Sequence, residues 1–336
     1  MSNRITIKDI AKALGMHHST VSRALRNDDR VKESTRKAII EFTRKHGYQV
    51  NMNALQLRGE AKNVIAVIVP NINHSFFSGI VSYLTDLATE QGYIVSIFQS
   101  NEQIEHEERI IDTVIQHDVA GVIASVAMET TSSAHLKKLQ EFTIPLVLFD
   151  RVVNNIDVSK VTVENKIAIL EVMDHFIMEG CRSILHISGP QHLNVFHNRR
   201  EAYLEGLQKY GIDKVLTLNI DRAFTMADGK RAVSNYLNNN PRPDAILCDS
   251  NVLLMGVLME LKERNITISD DIRLAGFSGE EPLELFHPGI ISIYQPTRLI
   301  AQKSFDLLIE MIKQKDCIFK EEIKIESFIK QNIILT

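Results

Sequence analysis

Residues 17–26, HHSTVSRALR, gather side chains able to bond to a polyanion or to the polar edges of stacked bases. At helical spacing His18, Ser19, Ser22, Arg23 and Arg26 share one stripe, while Val21, Ala24 and Leu25 take the opposite one. Hydroxyls and imidazoles bond in either direction, and a guanidinium presents a planar fork of donors. The charge distribution points the same way. Residues 1–62 hold 13 Lys and Arg against 6 Asp and Glu, whereas the rest of the chain holds 25 against 36. A basic head on an acidic body suits a polyanion that meets the head alone. A merely solvated basic face would give the same count, so charge leaves both readings open.

The elements that must carry this stripe are short helices. Thr6 caps a first one with Asp9 three residues on, Ile7, Ile10, Ala11 and Leu14 recur at helical spacing, and Gly15 stops it. The polar stripe occupies a second helix after a tight turn. A third is expected to pack Ala38, Ile39 and Phe42, and it ends in Arg44-Lys45-His46 before Gly47, where cations suit the helix dipole. Two short helices joined by a Gly-containing turn describe a helix-turn-helix able to enter a major groove. A three-helix protein-binding module has the same pattern, and geometry alone does not separate the two.

The string ITIKDIAKALGMHHSTVSRALRNDDRVKESTRKAIIEFTRKHGYQVN resembles the head of the lactose-repressor/galactose-repressor (LacI/GalR) family of bacterial transcription regulators. Thr6, Asp9, Ile10 and Ala11 match its first block, Ser19-Thr20-Val21-Ser22-Arg23 its second, and Thr35-Arg36 and Gly47-Tyr48 follow in order. The resemblance implies that His18, Ser19 and Arg23 read base edges, Arg being the natural bidentate partner of guanine. Thr20, Ser22 and the start of the helix would hold phosphates. His17 and Lys32 replace the usual capping serines, so both helix starts are expected to be weaker, or to reach phosphate through the side chain. Residues 1–49 form the expected DNA-binding domain and 50–62 a hinge. Asn51-Met52-Asn53-Ala54-Leu55-Gln56-Leu57-Arg58 is too short for a stable lone helix. The family pattern implies that it folds on the operator, with Asn51 at the DNA, Ala54 where paired hinges approach and Leu57 as a minor-groove wedge. Val50 stands where the family has Pro.

From residue 63 apolar strands alternate with amphipathic helices, the pattern of parallel sheets built from βαβ units. VIAVIVP (64–70), YIVSIF, AGVIASV and IPLVLFD make one half; SILHISGP (183–190), VLTLNI, AILCDS and RLAGFS make a second. No G-x-G-x-x-G follows a strand, and there is neither a phosphate loop nor a nucleophile elbow. His106-Glu107 begins like a zinc-protease motif, but Ile110 stands where the second His is needed. Cys181, Cys248 and Cys317 are odd in number and widely spaced, which suits reduced thiols in a cytoplasm. No catalysis, metal or cofactor is expected. The fold class is therefore α/β: an N-terminal all-α helix-turn-helix head plus a body of two doubly wound α/β subdomains, which the resemblance makes periplasmic-binding-protein-like. Three chain crossings are expected near Thr162, Ile291 and Asp316. They give a first subdomain of 63–162 and 292–316 and a second of 163–291 and 317–336, to which the terminal IKIESFI returns.

The resemblance also implies an effector cleft between the halves. Asp150-Arg151, SGP at 188–190 with Arg199 nine residues beyond Pro190, and Tyr294-Gln295-Pro296 match family positions. Asp150, Arg199, Phe224, Ser250, Ser278 and Gln295 are the implied effector-binding residues. Arg199 would fork onto hydroxyls or a carboxylate, Phe224 would offer a flat face or simply fill core, and Asp150 would accept hydroxyls or pair with Arg151. Ser278 stands where sugar-binding members often have Asp, and Ser250-Asn251 replaces Asn-Asp. Fewer carboxylates beside Arg199 favour a carbohydrate derivative, an acidic sugar over a neutral hexose. The expected protein is thus an operator-binding repressor controlled by a small carbohydrate-like effector. It would bind a pseudopalindrome as a cytoplasmic homodimer, without a membrane role and, lacking a heptad tail before Thr336, without a tetramer. A sugar-binding protein with no DNA role and an enzyme are the alternatives. The head and the missing signal segment weigh against the first, and the missing catalytic motifs against the second.

Overall fold

The computed structural model describes residues 5–25, 28–48, 62–221, 224–277, 289–314 and 320–329. The chain divides into two compact units, Met1–Lys62 and Asn63–Thr336.

The first unit is three helices: α1 (Ile7–Ala13), α2 (His18–Leu25) and α3 (Glu33–Lys45). Thr6 and Asp9 close a reciprocal cap on α1, each accepting from the other's backbone N–H at 3.3 and 2.9 Å. Gly15 takes φ +62°, the left-handed conformation that lets the chain turn into α2. Ile10 and Ala11 of α1, Val21 and Ala24 of α2, Val31 and Ile39 are buried together, with Leu14, Leu25, Phe42 and Tyr48 packed around them. Ala38 departs from expectation and is exposed; Thr43 is buried on α3 instead. An alanine costs little on either side of a helix, so its type did not fix its side. Lys32 makes no side-chain cap on α3. Arg36 ties down the preceding loop by donating to the Asp28 and Val31 carbonyls at 2.9 and 3.4 Å.

The second unit holds two six-stranded sheets. The first runs in the order β11-β5-β4-β3-β1-β2, from β1 (Val64–Val69), β2 (Ile94–Gln99), β3 (Gly121–Ala124), β4 (Leu146–Phe149), β5 (Ser159–Glu164) and β11 (Glu322–Glu326). The second runs β12-β10-β9-β8-β6-β7, from β6 (Ile184–Ser188), β7 (Leu216–Asn219), β8 (Ala245–Cys248), β9 (Arg273–Phe277), β10 (Ile290–Tyr294) and β12 (Phe328–Ile329). All pairings are parallel except that of β12 with β10. Both sheets thus share one strand order, so the two halves repeat one architecture.

Strand alternation explains how each sheet is covered on both faces. On β1, Ile65, Val67 and Val69 point to α4 (Ser75–Glu90) and α11 (Thr297–Gln314), while Ala66 and Ile68 point to α5 (Ile104–Gln116) and α6 (Ala134–Glu141). In the second half, Ile184, Ala245 and Leu247 meet α7 (Lys166–Met178) and α8 (Asn194–Lys209). Leu185, Ile187 and Ile246 meet α9 (Met226–Asn239) and α10 (Asn251–Glu263). Helices α9 and α10 pack closely: a Cβ on Gly256 would lie 2.1 Å from the Met226 carbonyl oxygen.

The crossings between halves correct the sequence expectation in one respect. The first follows β5 at residue 165 and the second lies at Gln295-Pro296, both a few residues beyond the expected points. The third does not lie near Asp316. Residues 322–326 extend the first sheet by pairing in parallel with β5, and the chain crosses only at Ser327. IKIESFI reads as one alternating strand, yet its two ends belong to different sheets. The buried Ser327 donates its backbone N–H to the Glu164 carbonyl at 3.0 Å, so the first and third crossings lie side by side.

Candidate functional site

The polar stripe of α2 is turned outward. His17, His18 and Arg23 are exposed, Ser19, Thr20 and Ser22 half-buried, and Val21 and Ala24 form the buried side. His17 compensates for the missing capping serine: its Nδ1 lies 2.8 Å from Ser19 Oγ and accepts a long bond from the Ser19 N–H at 3.4 Å. The His17 and His18 rings lie 4.2 Å apart, so both imidazoles stand at the start of the stripe. Arg26 and the hinge positions Asn51, Ala54 and Leu57 lie outside the described residues.

The second concentration of polar chemistry is the cleft where the carboxyl ends of β4, β8 and β9 face the amino ends of α4, α8 and α10. This is the place where open α/β sheets leave room for ligands. It encloses about 530 Å³ of empty space, open solvent included. Asp150, Arg199, Phe224, Ser250 and Gln295 all line it, and Ser278 lies outside the described residues. Asp150 directly follows β4 at φ +56°. This conformation, uncommon for a residue with a side chain, is held by its N–H to Val161 O and by Asn194 Nδ2 on its own carbonyl, both at 2.9 Å. Arg199 projects from α8 and donates Nη1 to the Asp249 carbonyl, with its guanidinium 3.5 Å from the centre of the Phe277 ring.

Burial dominates the electrostatics. It pushes the Asp150 carboxyl up from its ordinary value, opposed by the Arg199 and Arg151 cations. It pushes Arg199 down, opposed by Asp249 and Asp150. Asp150 Oδ1, Arg199 Nε and Gln295 Nε2 are buried without a complete hydrogen bond among the described residues, although Gln295 stands close enough to Asp150 to oppose the upward shift of its carboxyl. One acceptor and two donors therefore converge on the cleft, and a ligand bearing several hydroxyls can satisfy all three.

Asp150 and Arg151 do not pair. Arg151 donates Nη1 to Glu102 Oε2 at 2.7 Å and lies 5.6 and 5.9 Å from the Phe77 and Phe196 ring centres. Phe224 is buried in the core, 5.2 Å from Phe196, and also lines the cleft.

Sequence reasoning missed Asp249, Arg151 and the aromatic frame of Phe77, Phe196 and Phe277. Asp249 is fully buried, bonded to His186 Nε2 at 2.9 Å and to the Ser188 hydroxyl at 2.5 Å. Its signal was present: an acid directly after the apolar run AILC, as Asp150 follows LVLF. The idea that little acid remains beside Arg199 is corrected accordingly, since Asp249 and Asp150 both act on it.

Residues 62–332 match the family described as periplasmic binding proteins and sugar-binding domain of the LacI family, and residues 6–51 match the bacterial regulatory proteins of the lacI family. The chain belongs to the LacI family. It is a DNA-binding transcription regulator with a sugar-binding domain. Among its relatives, the ribose operon repressor of Halalkalibacterium halodurans is 27% identical over 92% of this chain and 91% of its own. The transcriptional repressor CytR of Escherichia coli is 26% identical over 92% and 90%. In structure the LacI-family chain is similar to the Lac repressor dimer bound to operator and the anti-inducer ONPF, with TM-score 0.85 and 19% identity over 98% of both chains. It is similar also to the CelR–cellobiose complex, with TM-score 0.72 and 23% identity over 98% and 99%. A LacI-type regulator from Alkaliphilus metalliredigens, complexed with D-xylulofuranose, gives TM-score 0.68 and 24% identity over 80% and 98%. Among the described residues no helix is long and apolar enough to cross a membrane.

Proposed function

We propose that this LacI-family regulator is a cytoplasmic repressor that grips a pseudopalindromic operator as a homodimer. His18, Ser19 and Arg23 of α2 read base edges, while His17, Thr20 and Ser22 meet phosphates. Asn51, Ala54 and Leu57 complete the grip as the hinge folds into the minor groove. The observation that carries this reading is the outward turn of Arg23 on a helix whose opposite side, Val21 and Ala24, closes the core of the head. Groups so placed reach a groove without disturbing the fold beneath them.

The cleft takes a small carbohydrate-like effector, bound by Asp150, Arg199, Gln295 and Ser250, with Phe224 against its ring and Ser278 beside it. Its role is binding and not turnover. Between a neutral sugar and a sugar acid, the lining favours the neutral one. Arg151 is already paired with Glu102, and Arg199 lies beside two aspartates. A carboxylate would meet cations whose charge is largely matched. Closure around the effector couples to operator affinity by about 1–3 kcal/mol, reciprocally.

Selection of bound duplexes from random DNA, repeated with a panel of neutral sugars and sugar acids, tests both parts. Enrichment of a two-fold symmetric sequence, lost at raised salt and modulated by a sugar, is the expected result. No enrichment under any condition would overturn the operator reading. Calorimetric preference for the acid of a matched pair would overturn the neutral one.

A further inference from the structure

Beyond the cleft that holds Arg199, the two halves face each other across a second, outer chamber of about 920 Å³, open solvent included. Two segments contribute to both chambers. On α8, Val195, Phe196 and Arg199 face the inner cleft, while Asn194, His197 and Asn198 face the outer chamber. The segment leaving β4 likewise contributes Asp150 and Arg151 to one and residues 152–155 to the other. The divider is the Asn194 amide, which accepts the Val152 N–H and donates to the Asp150 carbonyl, both at 2.9 Å.

We propose that the outer chamber is a second saccharide site, taking one neutral sugar ring that bridges the two subdomains. This extends the sugar-binding reading of the inner cleft to a place that reading does not use. Among the described residues, none of the eleven that line it carries a carboxylate, ammonium or guanidinium group. An anion or a cation would therefore enter without a counter-charge. Thr130, Asn154 and Asn155 stand on one side, and Gln191, His192 and Asn198 on the other. Amides, hydroxyls and imidazoles each offer a donor and an acceptor, matching the dual character of sugar hydroxyls. Val152 and Val153, both buried, supply an apolar patch for the C–H face of a ring.

The walls are held in place before any ligand arrives. His192 Nε2 donates to the Met128 carbonyl across the gap at 2.7 Å, and Ser133 Oγ donates to the Asn155 carbonyl at 3.1 Å. Gln191 donates Nε2 to Gly189 O at 2.9 Å and to Ser188 Oγ at 3.2 Å, while its Oε1, also buried, has no partner among the described residues. The Ser188 hydroxyl in turn bonds Asp249, whose carbonyl accepts from Arg199. A ring engaging Gln191 is thus connected through Ser188 and Asp249 to the cation of the inner cleft. A ring in either chamber touches both halves and favours the same closed arrangement.

The ring can arrive as a free monosaccharide or as the second ring of a disaccharide, and the test separates them. The full-length protein, its R199A variant and its N155A/N198A variant are titrated calorimetrically with D-glucose, D-ribose, cellobiose and maltose. Asn155 and Asn198 are exposed, so their truncation leaves the fold intact, which the thermal midpoint verifies. A free-ring site gives monosaccharide binding that survives R199A and weakens about tenfold in N155A/N198A. A second-ring site gives disaccharide binding weakened by both variants, with monosaccharide binding weakened by R199A alone. If no sugar in the panel responds to N155A/N198A, the outer site is overturned. If none responds to R199A, it is the inner-cleft reading that falls.

Discussion

The outward stripe of α2 and the cleft between the two halves set similar residues in opposite surroundings. Arg23 on α2 is exposed and keeps its hydration until a partner arrives. Arg199 is buried between a phenylalanine ring and two aspartates. The first can be changed at little cost to the fold because its side chain lies in solvent. The second is part of a buried polar network, in which an orphaned partner costs more than the lost contact. Recognition of a large external polyanion and recognition of a small enclosed molecule therefore divide the mutational landscape of this chain into two kinds.

The sharpest way to break that contrast is Asp249→Ala. It strips the buried His186 and Ser188 of their partner and should cost about 3 kcal/mol in denaturant unfolding, together with effector affinity. A loss below about 1 kcal/mol would show that the cleft is as tolerant as the head. Arg23→Ala should do the reverse, weakening operator binding by about 1–3 kcal/mol at an unchanged thermal midpoint. Gel-shift titration beside a melting curve reads both quantities. Glu102→Gln retains an acceptor for the Met128 N–H while removing the counter-charge of Arg151. It should shift cleft preference toward sugar acids by about tenfold, or about 1.4 kcal/mol, in paired titrations. Asp150→Asn sharpens the electrostatic side. Burial raises the Asp150 pKa, so above the ordinary carboxylate value the unfolded chain releases a proton that the folded chain keeps. Stability therefore falls as pH rises through that window up to the folded pKa, and remains lower beyond it. The asparagine variant should lose this slope and be relatively more stable at neutral pH. The smallest effect belongs to His17→Ala, about 0.5–1 kcal/mol of stability from the lost bond to the Ser19 N–H.

The head was largely legible because a helix-turn-helix places its core and its outward polar face on a single period. Ile10, Val21 and Ile39 could only be inside, and Arg23 only outside. Ala38 escaped because its size fits both sides. In the body, the strands came from the hydropathy pattern and Asp150, Arg199, Phe224 and Gln295 from the family resemblance, while neither pointed to Asp249 and Arg151 as cleft residues. Their cleft positions depend on what crosses from other elements: Glu102 reaching Arg151, and Ser188 with His186 reaching Asp249. No local pattern encodes such meetings. The last crossing was misplaced for a related reason. Alternation of polar and apolar residues reports that a segment is a strand, but not which of two similar sheets receives each end.

Under the closure proposed for the cleft, that last crossing puts the carboxyl-terminal residues among the segments that must bend. With Glu164 and Ser327 laced together, two straps run abreast between the lobes, and such a pair swivels about one line more easily than it slides or twists. Shortening the chain before residue 322 would remove one strap, an edge of one lobe and the antiparallel partner of β10 in the other. The surviving lobes could still hold a sugar, yet they would wobble where they ought to pivot.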